Sequence, residues 1–233
     1  MNNFFKKIIL VFALALFLLP SCAKKPDVVT KPPVNTGQTV KDADGNGYDT
    51  VTIGTQVWLV QNLRTTHYRD GSAIANATDS ASWVNNTTGA YCDYNNTASN
   101  SAAYGKLYNF YAANNGHNIC PKGWHVPSLA EWTTLTTYLG DTAAGAKLKE
   151  AGTAHWKSPN KGATNASGFT ALPGGFRNNN GPFYNIGNDG VWWSTTLDNN
   201  GNVYGLYMNS ANSIVNGGSG SKNNGFSVRC IKD

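Results

Sequence analysis

The clearest hydrophobic periodicity in the chain runs through "PSLAEWTTLTTYLG", where Leu129, Trp132, Leu135 and Leu139 recur three or four residues apart. That spacing puts them on one face of an amphipathic α-helix of about eleven residues starting near Ser128. Ser128 and Glu131 have the S-x-x-E spacing of a capping box, in which each side chain satisfies the other's free backbone N–H. Gly140 follows the last apolar position and is suited to close the helix. "TAAGAKLKEAG" predicts one or two more helical turns. A short helix is also expected in "YGKLYNFYAANNG", with Leu107, Phe110 and Tyr111 on one face and Asn115-Gly116 at its end.

Elsewhere the period is two. Val51 and Ile53, then Val57 and Leu59, predict two short strands parted by Gly54-Thr55. "GFTALPGGFR", "GVWWSTT", "NVYGLYMNS" and "NGFSVRCIKD" predict further strands between Gly- and Asn-rich turns, with Gly174-Gly175 allowing a sharp turn after "ALP". Trp192 and Trp193 are adjacent, so one is expected to face in and the other out. Phe226, Val228 and Cys230 alternate with Ser227 and Arg229, which puts Cys230 on the apolar face of a closing strand. Residues 76–103, rich in Asn, Ser, Thr and Ala, read as a long loop. The expected class is α+β: short twisted strands, two main short helices and long loops.

"DADGNG", residues 42–47, resembles the opening of an EF-hand calcium loop. The twelfth position from Asp42 is Ile53, where an EF-hand needs a bidentate carboxylate, and the stretch runs into a strand rather than a helix. Asp44-Gly45-Asn46-Gly47 is therefore expected to be a hairpin turn.

The first residues carry a different pattern. Lys6 and Lys7 precede an unbroken apolar run, Ile8 to Leu19, too short to span a bilayer comfortably. Residues 1–21 read as a lipoprotein signal peptide, with Ser21 before a Cys22 that would be lipidated. Residues 22–40 contain Pro26, Pro32 and Pro33 and no aromatic residue, as expected of an extended tether. Residues 41–233 are expected to form one globular domain. The implied location is the bacterial cell envelope, as an outer-membrane lipoprotein facing the periplasm or the exterior.

Charge adds little. The formal net charge of the 233-residue chain is +5, and only 13% of residues are charged. The lysines and arginines are scattered, so no nucleic-acid partner is expected.

The segments "DGNGYDTVTIGTQVWLVQNL", "YGKLYNFYAA", "CPKGWHVPSLAEWTTL", "SGFTALPGGFR", "WWSTT" and "GFSVRC" occur in that order. Together they resemble the Fibrobacter succinogenes major paralogous (FISUMP) domain, across nearly all of residues 42–233. The resemblance implies lipoprotein anchoring and a compact α+β domain related to the C-type lectin and formylglycine-generating-enzyme folds. It implies no particular activity, since a fold does not fix a function. The motifs read as architecture, with Trp58, Trp124 and Trp132 packing the core and Gly123 and Pro127 shaping the entry to the helix.

Catalysis finds little support. His67, His117, His125 and His155 show no H-x-x-x-H or H-E-x-x-H spacing, and Glu131 is engaged by the cap. His125 is expected to be structural. The formylglycine-generating relatives use a close pair of reactive cysteines near the C-terminus, where only Cys230 stands here. Calcium-dependent sugar binding in C-type lectins uses E-P-N or Q-P-D with W-N-D, and none of these occurs. No catalytic residue, metal or cofactor is expected.

Cys120 precedes the main helix and Cys230 lies near the chain's end, so a bridge would tie the end of the domain to its middle. It would close a loop of about 110 residues. The alternative is two separate buried thiols. Cys92 would remain free and, if exposed, could bridge to another chain.

Binding by surface aromatics remains. Trp156, Arg177, Tyr184 and Trp193 are the expected platform, suited to a glycan or to an envelope protein. The first expectation is a non-catalytic, lipid-anchored binding or adhesion module. The alternative is a structural envelope subunit that assembles with itself or its neighbours. A formylglycine-generating-type enzyme is the third reading.

Overall fold

The computed structural model describes residues 34–233. The leader, Cys22 and the tether up to residue 33 lie outside the described residues.

A five-stranded antiparallel sheet organises the first half. Strands β1 (Val34–Lys41), β2 (Gly47–Ile53) and β3 (Gln56–Leu59) form a meander. The C-terminal β13 (Ile231–Lys232) and β7 (Trp124–His125) complete the order β1-β2-β3-β13-β7. The folded unit thus begins before residue 41: β1 pairs Val34 with Val51 and Lys41 with Gly47. Without it, the outer edge of β2 would leave a row of backbone groups unpaired. The β1–β2 connection is the expected hairpin turn. Gly45 holds φ at 81°, a conformation glycine adopts without strain.

Residues 76–103 are more ordered than their composition suggests. They carry β4 (Ala75–Asn76), α1 (Ser80–Val84), β5 (Ala90–Cys92) and α2 (Ala98–Tyr104). Asp79 caps α1, accepting from Ser82 N, and Trp83 is buried beneath it. One apolar anchor and a cap suffice to order a one-turn helix in polar sequence. The segment around Leu107 also differs from expectation. Leu107–Tyr108 is strand β6, and only Phe110–Ala113 is helical, as α3. The cause is Asn109, whose side chain caps α3 by accepting from Ala112 N.

Helix α4 spans Leu129–Leu139 with the full capping box, and Gly140 ends it at φ 89°. Helix α5 (Ala144–Leu148) follows. The second half builds a small hairpin, β8 (Phe176–Arg177) with β9 (Phe183–Tyr184). It also builds an antiparallel sheet of β10 (Asp189–Leu197), β11 (Val203–Asn209) and β12 (Asn216–Gly220). The fold class is α+β.

The main core lies between the first sheet, helices α4 and α5, and one face of the second sheet. Trp58, Trp132, Phe169, Trp192 and Met208 meet there, with Trp58 and Trp132 ring centroids 4.7 Å apart. A second cluster gathers Tyr48, Tyr108, Phe110, Trp124 and Trp193 around the Cys120–Cys230 disulfide. Burying each such large side chain stabilises by about 1.5–3 kcal/mol. Residues 226–230 do not form the expected one-sided strand. They thread between the second sheet and β6, with bridges from Phe226 to Tyr108 and from Ser227 to Trp192. Ser227 and Arg229 are therefore buried along with Val228 and Cys230.

Candidate functional site

The second sheet has two faces with different fates. Along β10 and β11 the side chains alternate, and the register pairs Trp192 with Leu206 and Trp193 with Gly205. Trp192, Leu206 and Met208 point into the main core. Asp189, Val191, Trp193, Gly205 and Tyr207 share the opposite face. Gly218 continues this row, since it pairs with Gly205. Two glycines side by side remove the side chains that would otherwise cover the face.

The result is a cleft of about 480 Å³. Its floor is Val191, Gly205 and Gly218, and its walls include Phe176, Tyr207 and Phe226. Polar groups around it are Asn178, Asn185, Asp189, Ser219 and Asn224. Burial raises the Asp189 carboxyl above its ordinary range, although Asn185 Nδ2 donates to Oδ2 at 2.7 Å and opposes the shift. Ser219 Oγ donates to Asp198 Oδ2 at 2.6 Å. The cleft thus combines flat apolar faces with amides that both donate and accept. That combination suits a hydroxylated ring more than a purely apolar ligand.

The four residues expected to form a platform do not assemble into one. Trp193 is fully buried: Phe226 covers it at 4.2 Å between ring centroids, and its Nε1 donates to the Tyr108 carbonyl. Both tryptophans of the pair are buried, Trp192 in the main core and Trp193 under Phe226 and Phe110, so strand alternation does not expose either. Trp156 is buried too, with Nε1 donating to the Ala171 carbonyl at 2.9 Å. Lys149 lies over its ring and donates to the carbonyls of Lys161, Asn209 and Asn212. Arg177 is a buried staple. It donates to the carbonyls of Gly181, Ala77 and Thr78 and is sandwiched between the rings of Trp83 and Phe183. Only Tyr184 is exposed, at 41%, with its ring against Phe176 on the cleft wall.

Sequence reasoning therefore placed one residue beside the cleft and missed the rest. The signal it passed over was glycine within strands, in "VYGLYMN" and "NGGSG", where a missing side chain marks a hollow.

The structural residues hold their expected places. Ser128 and Glu131 reciprocate, with Glu131 Oε2 accepting from Ser128 N at 2.8 Å. Trp124 and Trp132 are core residues. His125 bridges Glu131 and Asp233 at 2.8 and 2.7 Å. Cys120 and Cys230 form the disulfide, and Cys92 is free but buried. The intermolecular bridge envisaged for an exposed Cys92 loses its footing.

The carboxylates of the "DADGNG" turn face protein donors. Asp42 accepts from the backbone N–H groups of Asp44 and Asn46 and from the Tyr48 hydroxyl. Asp44 accepts from Thr66 and pairs with His67. Among the described residues, no three His, Cys, Asp or Glu side chains come together as a metal site.

Neither the curated proteins nor the solved structures contain a match to this chain. The sequence model of the Fibrobacter succinogenes major domain matches residues 51–232, which takes in the capped helix, every strand under the cleft and the first sheet apart from β1 and the start of β2. The chain belongs to the Fibrobacter succinogenes major domain family.

Proposed function

We propose that this protein is a non-catalytic, lipid-anchored binding module of the bacterial cell envelope, and that its ligand is a glycan seated in the cleft over β10, β11 and β12. The observation that carries the reading is the glycine-floored hollow between Phe176, Tyr207 and Phe226, rimmed by three asparagines. Aromatic faces stack against the C–H faces of sugar rings, and side-chain amides match vicinal hydroxyls. Among the described residues, Asp189 is the single carboxylate lining the cleft. Glycoside hydrolysis ordinarily uses two, so binding is favoured over turnover. The buried Cys92 thiol and the bridged Cys120 and Cys230 likewise give no pair of reactive cysteines for a formylglycine-generating reaction. The anchor rests on the leader and Cys22, and places the domain on the outer membrane. The α+β domain is read as C-type-lectin-like, a scaffold that can present a cleft without calcium chemistry.

A glycan array probed with the full chain tests this. Gly218→Leu is the informative variant, because Gly218 lines the cleft and a Cβ there meets nothing within 4 Å, which leaves room for a side chain to enter the hollow. Binding by the wild type and its loss in Gly218→Leu, with an unchanged melting temperature, is expected. Equal binding by both proteins moves the ligand elsewhere. Silence across a broad array removes the glycan reading.

A further inference from the structure

A second cleft lies beside the first. It has a volume of about 410 Å³ and is lined by Thr87, Thr88, Phe110, Tyr111, Asn114, Asn115 and Lys222, with Gly89 and Gly116. Its lining has aromatic, amide and hydroxyl groups, as in the first cleft, but here the charged group is a cation and, among the described residues, no carboxylate lines it. Among the described residues the only lysine ion pair is Lys106 with Asp93, so the Lys222 ammonium is unpaired. His117, next to Gly116, is hydrogen-bonded through Nδ1 to the Asp70 carboxylate.

The turn at Ser221–Asn224 stands between the two clefts. Asn224 N donates to the Ser221 carbonyl at 3.0 Å and closes the turn. Lys222 lines the second cleft, while Asn224, two residues on, lines the first. The turn is anchored from several sides. Trp83 Nε1 donates to the Asn223 carbonyl at 2.7 Å, Asn223 Nδ2 donates to the Asn86 carbonyl at 2.6 Å, and Phe110 N donates to the Lys222 carbonyl at 2.9 Å. The backbone of Lys222 is thus held on the rim between the two hollows.

A further feature lies behind this cleft. Tyr68 is 5% exposed, and Asn115, the side chain that approaches its hydroxyl, makes no well-formed hydrogen bond to it. It sits against Gly89, where even a Cβ would collide with it, and beside Asn115. A buried phenol without a partner is costly unless water or a ligand completes it. Gly89 and Asn115 both line the second cleft.

We infer that the second cleft is an acidic-sugar subsite of the same binding surface, in which the Lys222 ammonium pairs with the carboxylate of a uronic acid. This rests on the reading of the first cleft as a glycan site. An unpaired ammonium among hydroxyl and amide groups discriminates by charge, because a carboxylate in this cleft meets a cation and no competing anion. A chain in which neutral and uronic sugars alternate, as in hyaluronate, would cross the turn with a neutral ring in the first cleft, beside Asp189, and a carboxylate in the second.

The test is affinity electrophoresis of the full chain through gels containing polygalacturonate, alginate or hyaluronate, each beside its methyl-esterified form. Esterification keeps the backbone and removes the charge. The expected result is stronger retention by at least one acid form than by its ester. Lys222→Gln should weaken that retention about tenfold and leave retention by the ester unchanged. Lys161→Gln removes the same charge from an exposed position away from both clefts and should change little. An equal loss in Lys161→Gln would reduce the effect to net-charge attraction and overturn the inference. Equal retention by acid and ester would overturn it too, while leaving the glycan reading intact if Gly218→Leu still abolished binding. Retention by none of the polymers would overturn the uronate subsite, and the glycan array then decides the first cleft separately.

Discussion

At the residue scale, the molecule buries more polar chemistry than its low charge suggests. Arg229 is the sharpest case. It is 1% exposed, yet among the described residues no carboxylate pairs with it. Its guanidinium donates instead to Asn62 Oδ1 from two nitrogens, at 3.0 and 2.8 Å, and to the carbonyls of Leu59 and Phe169. It also stacks over the Phe169 ring at 4.3 Å. Burial pushes its pKa down to about 9, and the carbonyl cage is what makes the charged form tolerable. Arg229→Met would take this donor from the Leu59 and Phe169 carbonyls, each costing about 1–3 kcal/mol, while Asn62 Oδ1 keeps its bond from Trp192 Nε1. A loss of at least about 2 kcal/mol in urea unfolding is expected, and a loss below about 1 kcal/mol would show that the cage is filled by water instead. Cys92 gives a second prediction. Burial pushes its thiol up to about 12. A thiol that is both inaccessible and protonated is inert to disulfide exchange. Native domain incubated with a thiol reagent at pH 8 should show no rapid labelling of Cys92, with labelling appearing only when denaturant is added. Rapid labelling in buffer would mean that the cluster of Trp83, Ala90, Tyr94 and Leu107 around it opens readily.

At the element scale, α4 shows how far sequence reasoning reaches. Its length, its buried face and both caps were legible because each depends on residues within a single turn of one another. The same local logic gave the β1–β2 hairpin turn. It failed where an element depends on distant partners. Helix α1 is fixed by burial of Trp83 under Arg177, nearly a hundred residues away, and no local periodicity announces it. The cleft was missed for the same reason: its hollow exists only once Gly205 and Gly218 come into register on neighbouring strands. The N-terminus of α4 also makes a prediction about pH. Burial works against charge on His125, but its bonds to Asp233 and Glu131 outweigh that and raise its pKa above 6.5. The Glu131 carboxyl is lowered from 4.5, because bonds from Ser128 and His125 outweigh burial. The histidine's contribution is full below pH 6.5 and is lost as pH rises through its raised folded value. The glutamate's contribution is full above 4.5 and is lost as pH falls through its lowered one. The stability gap between wild type and His125→Asn should therefore be widest between about pH 5 and 6. It should narrow toward pH 8. A gap that stays flat across that range would mean that His125 contributes by packing alone. Ser128→Ala should cost about 1 kcal/mol at any pH in that range, as expected for loss of an N-cap.

At the scale of the whole molecule, the two sheets share few direct strand pairings, and the chain's last residues join them. Residues 225–227 bridge to Arg177, Tyr108 and Trp192, and β13 then enters the first sheet between β3 and β7. That closing ladder is short. Ile231 pairs with Trp58 and His125, and Lys232 with Trp124. So few backbone pairs offer little resistance to fraying, and strand ends are where local opening begins. The Cys120–Cys230 bridge sits where it matters for this problem. Cys230 directly precedes β13, and Cys120 lies four residues before β7. The bridge spans 110 residues of sequence, so it restricts the unfolded chain strongly, by about 4 kcal/mol on the chain-entropy model. It also holds β13 and β7 together when their few hydrogen bonds break. These two effects are separable. Replacing both cysteines by alanine should lower the unfolding free energy by about 4 kcal/mol. If the bridge acts only on the unfolded chain, hydrogen exchange in the native state should accelerate uniformly. If it also clamps the ladder, the amides of β13 and of residues 225–230 should lose protection well beyond the global change, while those of α4 follow it. The shortness of the β7–β13 ladder favours the second outcome. Uniform acceleration would show that packing of Val228, Arg229 and Ile231 against the two cores is enough to seat the C-terminus by itself.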